Sequence, residues 1–171
     1  MKILKKILLG AFIFLALVLI VAAFAPKDFK SEREIVINKP RTEVFEYIRL
    51  VKNQDHFGVW QLADPQMKKS YEGTDGTVGF RYSWDSKKMG KGTQTITHIT
   101  AGERMDTELN FGWGDPAKAY FITQDAGTNQ TRVTWGITGR SPYPFNIMGL
   151  FFDMGHDFEK GLQNLKQELE K

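Results

Sequence analysis

Three successive patterns of apolar positions run along the chain. From Ile7 to Ala25, nineteen residues pass without a charged or strongly polar side chain, in a run of Leu, Ile, Val, Phe and Ala broken at Gly10. A helix of about 19 residues reaches roughly 28 Å, close to the hydrocarbon thickness of a bilayer. From Phe29 the period drops to two. Glu34 and Val36 alternate with Arg33, Ile35 and Ile37, which predicts a strand over Phe29–Ile37, and Asn38-Lys39-Pro40 ends it in a turn. Thr42 stands as a helix N-cap before Val44, Phe45 and Ile48, and a second short helix or turn is predicted over Asn53–Trp60.

Strand signals then follow one another. They cover Met67–Tyr71, Val78–Trp84, Thr93–Thr100, Met105–Trp113, Ala117–Gln124 and Thr131–Thr138. Short turns separate them, including Gly73-Thr74-Asp75-Gly76, Gly90-Lys91-Gly92 and Ala126-Gly127-Thr128-Asn129. With the first strand this makes seven, in the order of an antiparallel meander. The third pattern closes the chain. After Pro142 and Pro144, apolar residues at Phe145, Met148, Phe151, Phe152, Phe158, Leu162, Leu165 and Leu169 predict a long C-terminal helix. Its later spacings place Phe158, Leu162, Leu165 and Leu169 on one face, with Lys160, Gln163, Lys166, Gln167 and Glu170 toward water.

Charge changes how the first segment is read. Lys2, Lys5 and Lys6 precede the apolar run and no acid falls before Pro26, so these three lysines account for the whole formal charge of +3. The rest of the chain is neutral, without the net basic footprint that nucleic-acid binding leaves, and no nucleic-acid partner is expected. The lysines serve equally as the flank of an anchor or the n-region of a cleaved signal peptide, and Ala23-Phe24-Ala25 has the small-x-small form of a cleavage site. Pro26 is a poor residue to follow a scissile bond. The expected arrangement is an uncleaved single-pass anchor with its N-terminus in the cytoplasm and the domain outside; a cleaved signal peptide is the alternative. Residues 1–28 are then anchor and linker, and residues 29–171 the domain.

The absence of cysteine excludes disulfides, thiolate nucleophiles, cysteine zinc sites and cysteine-borne lipid anchors. The serines lie in no Gly-x-Ser-x-Gly elbow, and neither a Gly-x-Gly-x-x-Gly after a strand nor a P-loop is present, so no nucleotide cofactor is expected. His56 and His156 are isolated, without His-x-x-x-His spacing, and no metal is expected.

The order of elements, together with Ile35-Val36-Ile37-Asn38-Lys39-Pro40, Val44-Phe45-Glu46-Tyr47-Ile48, Thr131-Arg132-Val133-Thr134-Trp135, and Met154-Gly155 followed by Asp157–Lys166, resembles the START-like helix-grip superfamily of SRPBCC proteins. Within it, the chain is similar to the polyketide cyclase/dehydrase group over about residues 29–171. Near Trp60 the chain departs from that group: Asp55-His56-Phe57-Gly58-Val59-Trp60 stands where a Trp-x-x-Trp or proline-bearing segment is common, so the pocket mouth is expected to differ. The resemblance implies an α+β helix-grip fold, a curved seven-stranded antiparallel sheet around a long C-terminal helix with two short helices after the first strand; the apolar run adds a separate N-terminal transmembrane helix. It also implies an apolar cavity between sheet and helix, which members use for lipids, sterols, hormones or polyketides, some of them catalysing ring closure or dehydration.

Aromatic and apolar residues are the candidates to line such a cavity: Trp60, Phe80, Tyr82, Trp84, Leu109, Phe111, Trp113, Phe145, Met148 and Phe152. Filling of a solid core is the competing role for each of them. His98, sharing parity with Gln94 and Ile96, is the named candidate general base, with an inward carboxylate as the alternative. Arg81 with Asp85 or Glu108, and Arg104 with Asp106, are expected to form solvated pairs on the outer face. With no convergent set of titratable groups, the sequence favours a carrier of a small hydrophobic molecule over a cyclase/dehydratase-type enzyme, with a scaffold of filled core as a third reading.

Overall fold

The computed structural model describes residues 2–150 and 153–171. Helix α1 spans Lys2–Phe24 and leads through a three-residue linker into strand β1, Asp28–Ile37. Pro40 breaks the strand, and α2 (Arg41–Ile48), a 3-10 turn, α3 (Gln54–Phe57) and α4 (Val59–Ala63) follow. The remaining strands are β2 (Lys68–Glu72), β3 (Arg81–Ser86), β4 (Gly90–Thr100), β5 (Arg104–Asn110), β6 (Ala117–Gly127) and β7 (Gln130–Arg140), before α5 (Gly155–Leu169).

These strands form one antiparallel sheet in the order β1-β7-β6-β5-β4-β3-β2, so β2 to β7 is a meander and β1 closes against its last strand. Register shifts at Ile96/His98 and Asp125/Gly127 add local twist, and the sheet curves around α5. The hydrophobic face of α5 buries Phe158, Leu162, Leu165 and Leu169, while α2 buries Val44, Phe45 and Ile48. Both meet Ile37, Phe121, Val133 and Trp135 in one core, where each large apolar side chain contributes about 1.5–3 kcal/mol by leaving water.

Several elements differ from the sequence-based reading. Strand β4 takes in Gly90-Lys91-Gly92, expected as a turn, and the chain reverses at residues 87–89 instead. The strand predicted from Val78 begins at Arg81, because Gly73, Gly76 and Gly79 all take positive φ and carry the chain through turns first. The strand predicted to run to Trp113 ends at Asn110, whose side-chain oxygen accepts from the Gly112 amide at 2.8 Å and folds the chain back. The C-terminal helix begins at Gly155, where Asp153 Oδ1 accepts the Gly155 amide at 2.7 Å. Phe145 and Met148, counted into that helix from sequence, belong to a separate 3-10 segment, Phe145–Leu150, and Phe151 and Phe152 fall outside the described residues. A smaller difference concerns α2, which starts at Arg41 with no side-chain cap, so Thr42 lies inside it.

The 3-10 segment packs against the end of α1. Asn146, buried, donates its side-chain amide to the carbonyls of Ala22 at 2.7 Å and Ala25 at 2.9 Å. Both oxygens sit where a helix runs out of intrahelical donors. Ser141 also donates its amide to Lys27 O at 2.8 Å, tying the end of β7 to the linker.

Candidate functional site

Among the described residues, the concave face of the sheet is filled at one end only. At the end where β1 finishes and β7 begins, α2, α3 and the C-terminal half of α5 pack into it. Toward the other end, where β3 and β5 finish and β4 and β6 begin, α5 contributes only its start, with Met154 and Phe158. There a cavity of about 260 Å³ remains. This is just under the ~300 Å³ at which small-molecule pockets usually begin and several times the ~30 Å³ share of one water.

Aromatic rings shape its walls. Trp135 is the hub: its ring centroid lies 5.1 Å from Phe158, 5.8 Å from Trp60 in a perpendicular contact, and 4.8 Å from Phe121 in a stack. Gly161 of α5 faces it, and a Cβ there would come within 2.6 Å of the indole. On the opposite wall Tyr82, Trp84 and Phe111 follow one another at 5.7 and 6.0 Å. The Trp84 indole lies across Gly92 of the neighbouring strand, where a Cβ would stand 2.3 Å from the ring.

Polar groups are few. Tyr82 donates its hydroxyl to Met67 Sδ at 3.2 Å, and burial holds its phenol above the ordinary tyrosine value, so it is neutral at physiological pH. Gln61 donates to Gln54 Oε1 at 3.5 Å, leaving Gln54 Nε2 and Gln61 Oε1 buried without partners. Gln94 donates to Thr107 Oγ1 at 3.3 Å. Tyr82 is the one titratable side chain among the described lining residues. The arrangement can enclose an apolar body and offer it uncharged hydrogen-bonding groups.

Of the residues singled out from sequence, Trp60, Tyr82, Trp84, Leu109 and Phe111 line this cavity. Phe80 does not; it is buried in the adjoining core, stacked on Tyr71 at 6.1 Å. Trp113, Phe145 and Met148 also lie outside it, exposed on the surface, because the turn at Gly112 and the separate 3-10 segment carry them away from the concave face. Phe152 falls outside the described residues. Trp135, Ile137, Met154 and Phe158 line the cavity without having been singled out as site residues. The signal for three of them was present in the alternation Val133, Trp135, Ile137 along β7 and in Phe158 on the apolar face of α5; Met154 stands just before that helix.

His98 is on the outside. The register shift between Ile96 and His98 inserts Thr97 as an extra residue, so Gln94 and Ile96 point inward and His98 outward, with its Nε2 3.2 Å from Thr100 Oγ1. It cannot act as a base inside the cavity. Arg104 and Asp106 pair on one strand at 2.7 Å, with Arg104 over the Tyr120 ring. Arg81 meets Thr95 Oγ1 at 3.4 Å instead of a carboxylate, and Asp85 pairs with Lys91. Among the described residues no group of three or more His, Asp or Glu side chains is placed to hold a metal ion.

A family model described as polyketide cyclase/dehydrase and lipid transport matches residues 28–170. No curated protein matches the chain. Norcoclaurine synthase from Thalictrum flavum, solved with dopamine and hydroxybenzaldehyde, superimposes with a TM-score of 0.65 at 8% identity, over 88% of this chain and 91% of that one. The Aha1 dimer protein from Colwellia psychrerythraea gives 0.59 at 13% identity, over 83% and 96%. A protein from Nitrosospira multiformis gives 0.57 at 18% identity, over 82% and 95%. At these identities the likeness establishes the helix-grip fold and nothing narrower.

Proposed function

The chain belongs to the polyketide cyclase/dehydrase and lipid-transport family, and on that footing we propose that it is a membrane-tethered binding domain that carries a small hydrophobic molecule, lipid-like or polyketide-like, in the cavity between sheet and α5. The observation that carries this reading is the cavity itself: lined mainly by aromatic and aliphatic side chains, with the uncharged amides of Gln54, Gln61 and Gln94, it holds no formal charge. Burial of apolar surface drives such a ligand in, at about 25 cal/mol per Å² removed from water.

Residues 1–28 serve as anchor and linker, and residues 29–171 as the binding domain. Support for the tether is the length and composition of α1, which has a candidate span Ile3–Phe24 with mean hydropathy 3.1. Its partly matched polar contact with Asn146 favours retention of the helix over its removal as a signal peptide. The N-terminus is then cytoplasmic and the domain outside.

Native mass spectrometry of the full chain released from detergent tests the carrier reading. A co-purified hydrophobic molecule is expected; protein that emerges empty, and also fails to retain added lipid or aromatic polyketide probes, overturns it. A cyclase/dehydratase would need an acid–base group at the cavity, where Tyr82 alone stands among the described residues. The Tyr82→Phe variant separates the two readings: a carrier keeps its ligand, whereas an enzyme keeps its ligand and loses turnover.

A further inference from the structure

The cavity and the end of α1 lie at the same pole of the sheet. β1 starts there directly after the linker, and the β5–β6 connection and the 3-10 segment extend from it. That pole is also where the domain leaves its largest apolar side chains uncovered: Trp113 is 64% exposed, Leu150 55%, Phe145 54% and Met148 48%. Trp113 and Phe145 touch, with ring centroids 6.3 Å apart, so two separate segments build one surface. Phe111, two residues before Trp113, belongs both to this edge and to the cavity wall.

We infer that this apron of Trp113, Phe145, Met148 and Leu150 rests in the bilayer interface and seats the mouth of the cavity on the membrane, so that the ligand passes between bilayer and cavity without crossing water. The inference rests on the carrier reading for its second half and on α1 spanning the membrane for its first. What covers the apron follows from position. Asn146 holds the 3-10 segment against Ala22 and Ala25, the last residues of the apolar span, so its neighbours stand at the depth where that helix leaves the hydrocarbon. Tyr143, two residues before that segment, donates its hydroxyl to Leu19 O at 3.4 Å, deeper still along α1. Trp and Tyr are the side chains that favour this depth, an apolar body with a polar tip. Beside the apron a shallow groove is lined by Lys118 and Arg140 with Asp28, and by Lys30, which pairs with Glu32 at 2.9 Å; the one net positive charge left suits a lipid phosphate.

The test uses the full chain reconstituted into phosphatidylcholine–phosphatidylglycerol vesicles whose acyl chains carry bromine near the headgroup. The difference in tryptophan emission between the native chain and Trp113→Phe isolates Trp113, since Trp60, Trp84 and Trp135 remain in both. The expected component is blue-shifted, quenched by the brominated lipid and shielded from aqueous acrylamide; it disappears in the variant. A component with water-like emission that acrylamide quenches and bromine does not overturns the inference. So does a component that neither quencher reaches, which would mean that protein covers the site. Leu150→Trp on the Trp113→Phe background reads the second segment independently, and the same outcomes apply. Native mass spectrometry on the same preparation separates the two levels: bound ligand with a water-exposed Trp113 removes the membrane seat and leaves the carrier, and an empty protein with a bromine-quenched Trp113 does the reverse.

Discussion

The hydroxyl of Tyr120 donates to Glu32 Oε2 at 2.6 Å across the back of the sheet, from β6 to β1, spanning β7 between them. The ring can cross because Gly136 lies beneath it; a Cβ there would come 2.6 Å from the phenol. The bond ties three strands together behind the cavity. It holds the Glu32 carboxyl below its ordinary value, Lys30 assisting, while burial and then the Glu32 bond push the Tyr120 phenol up to about 12.

A titration follows from that pair. Unfolded tyrosine ionises near pH ~10, so above that value the unfolded chain releases the Tyr120 proton while the folded chain keeps it. The contribution of Tyr120 to stability is therefore complete below pH ~10 and is lost as pH rises toward about 12. Denaturant titrations at several alkaline pH values should show this decline, and Tyr120→Phe should make it shallower, the raised phenols of Tyr82, Tyr47 and Tyr71 supplying the remainder. At neutral pH the same variant should cost about 1 kcal/mol, because the carboxylate it leaves behind is still reached by water.

Gly161→Ala should destabilise the protein despite improving helix propensity. The added methyl gains about 1 kcal/mol as a helix former, yet it meets the Trp135 ring at 2.6 Å in a packed core, where overpacking costs about 1–3 kcal/mol. A lowered urea midpoint with an unchanged slope is the expected result, and a raised midpoint would show that Trp135 moves freely.

Ala119 lines the cavity with a small side chain. Ala119→Leu should fill part of the empty space, leaving stability within about 1.5 kcal/mol of the native protein while weakening a bound apolar probe by about 1.4 kcal/mol, or tenfold, or more. Fluorescence titration with a polarity-sensitive naphthalene dye reads the affinity directly, and unchanged binding would place the dye elsewhere.

Trp135→Ala should be the most damaging of these changes. The indole is 5% exposed and joins Phe57, Phe121, Trp60 and Phe158, so its removal should cost about 3–5 kcal/mol. Calorimetry or chemical denaturation measures the loss. A cost near zero would mean that the wall is not held by this hub.

Alternation alone made most of the sheet legible. Val133, Trp135 and Ile137 on β7, and Phe158, Leu162, Leu165 and Leu169 on α5, face inward as their spacing indicates. Where the reading failed, a local event had interrupted the period. One inserted residue at Thr97 turned His98 to the solvent, and the backbone turn at Gly112 took Trp113 out of β5. Phe145 and Met148 kept helical spacing without belonging to α5, because their apolar character serves a surface beside α1 instead of the core. Periodicity records that a side chain avoids water; it does not record what shields it.

Between α1 and β1 only Ala25, Pro26 and Lys27 intervene, a leash of about 10 Å even when fully extended. A domain moored so closely has almost no radius of travel. On the proposed reading of α1 as a tether and of the cavity as a carrier site, cargo changes hands at the point of mooring, and an acceptor has to come to it.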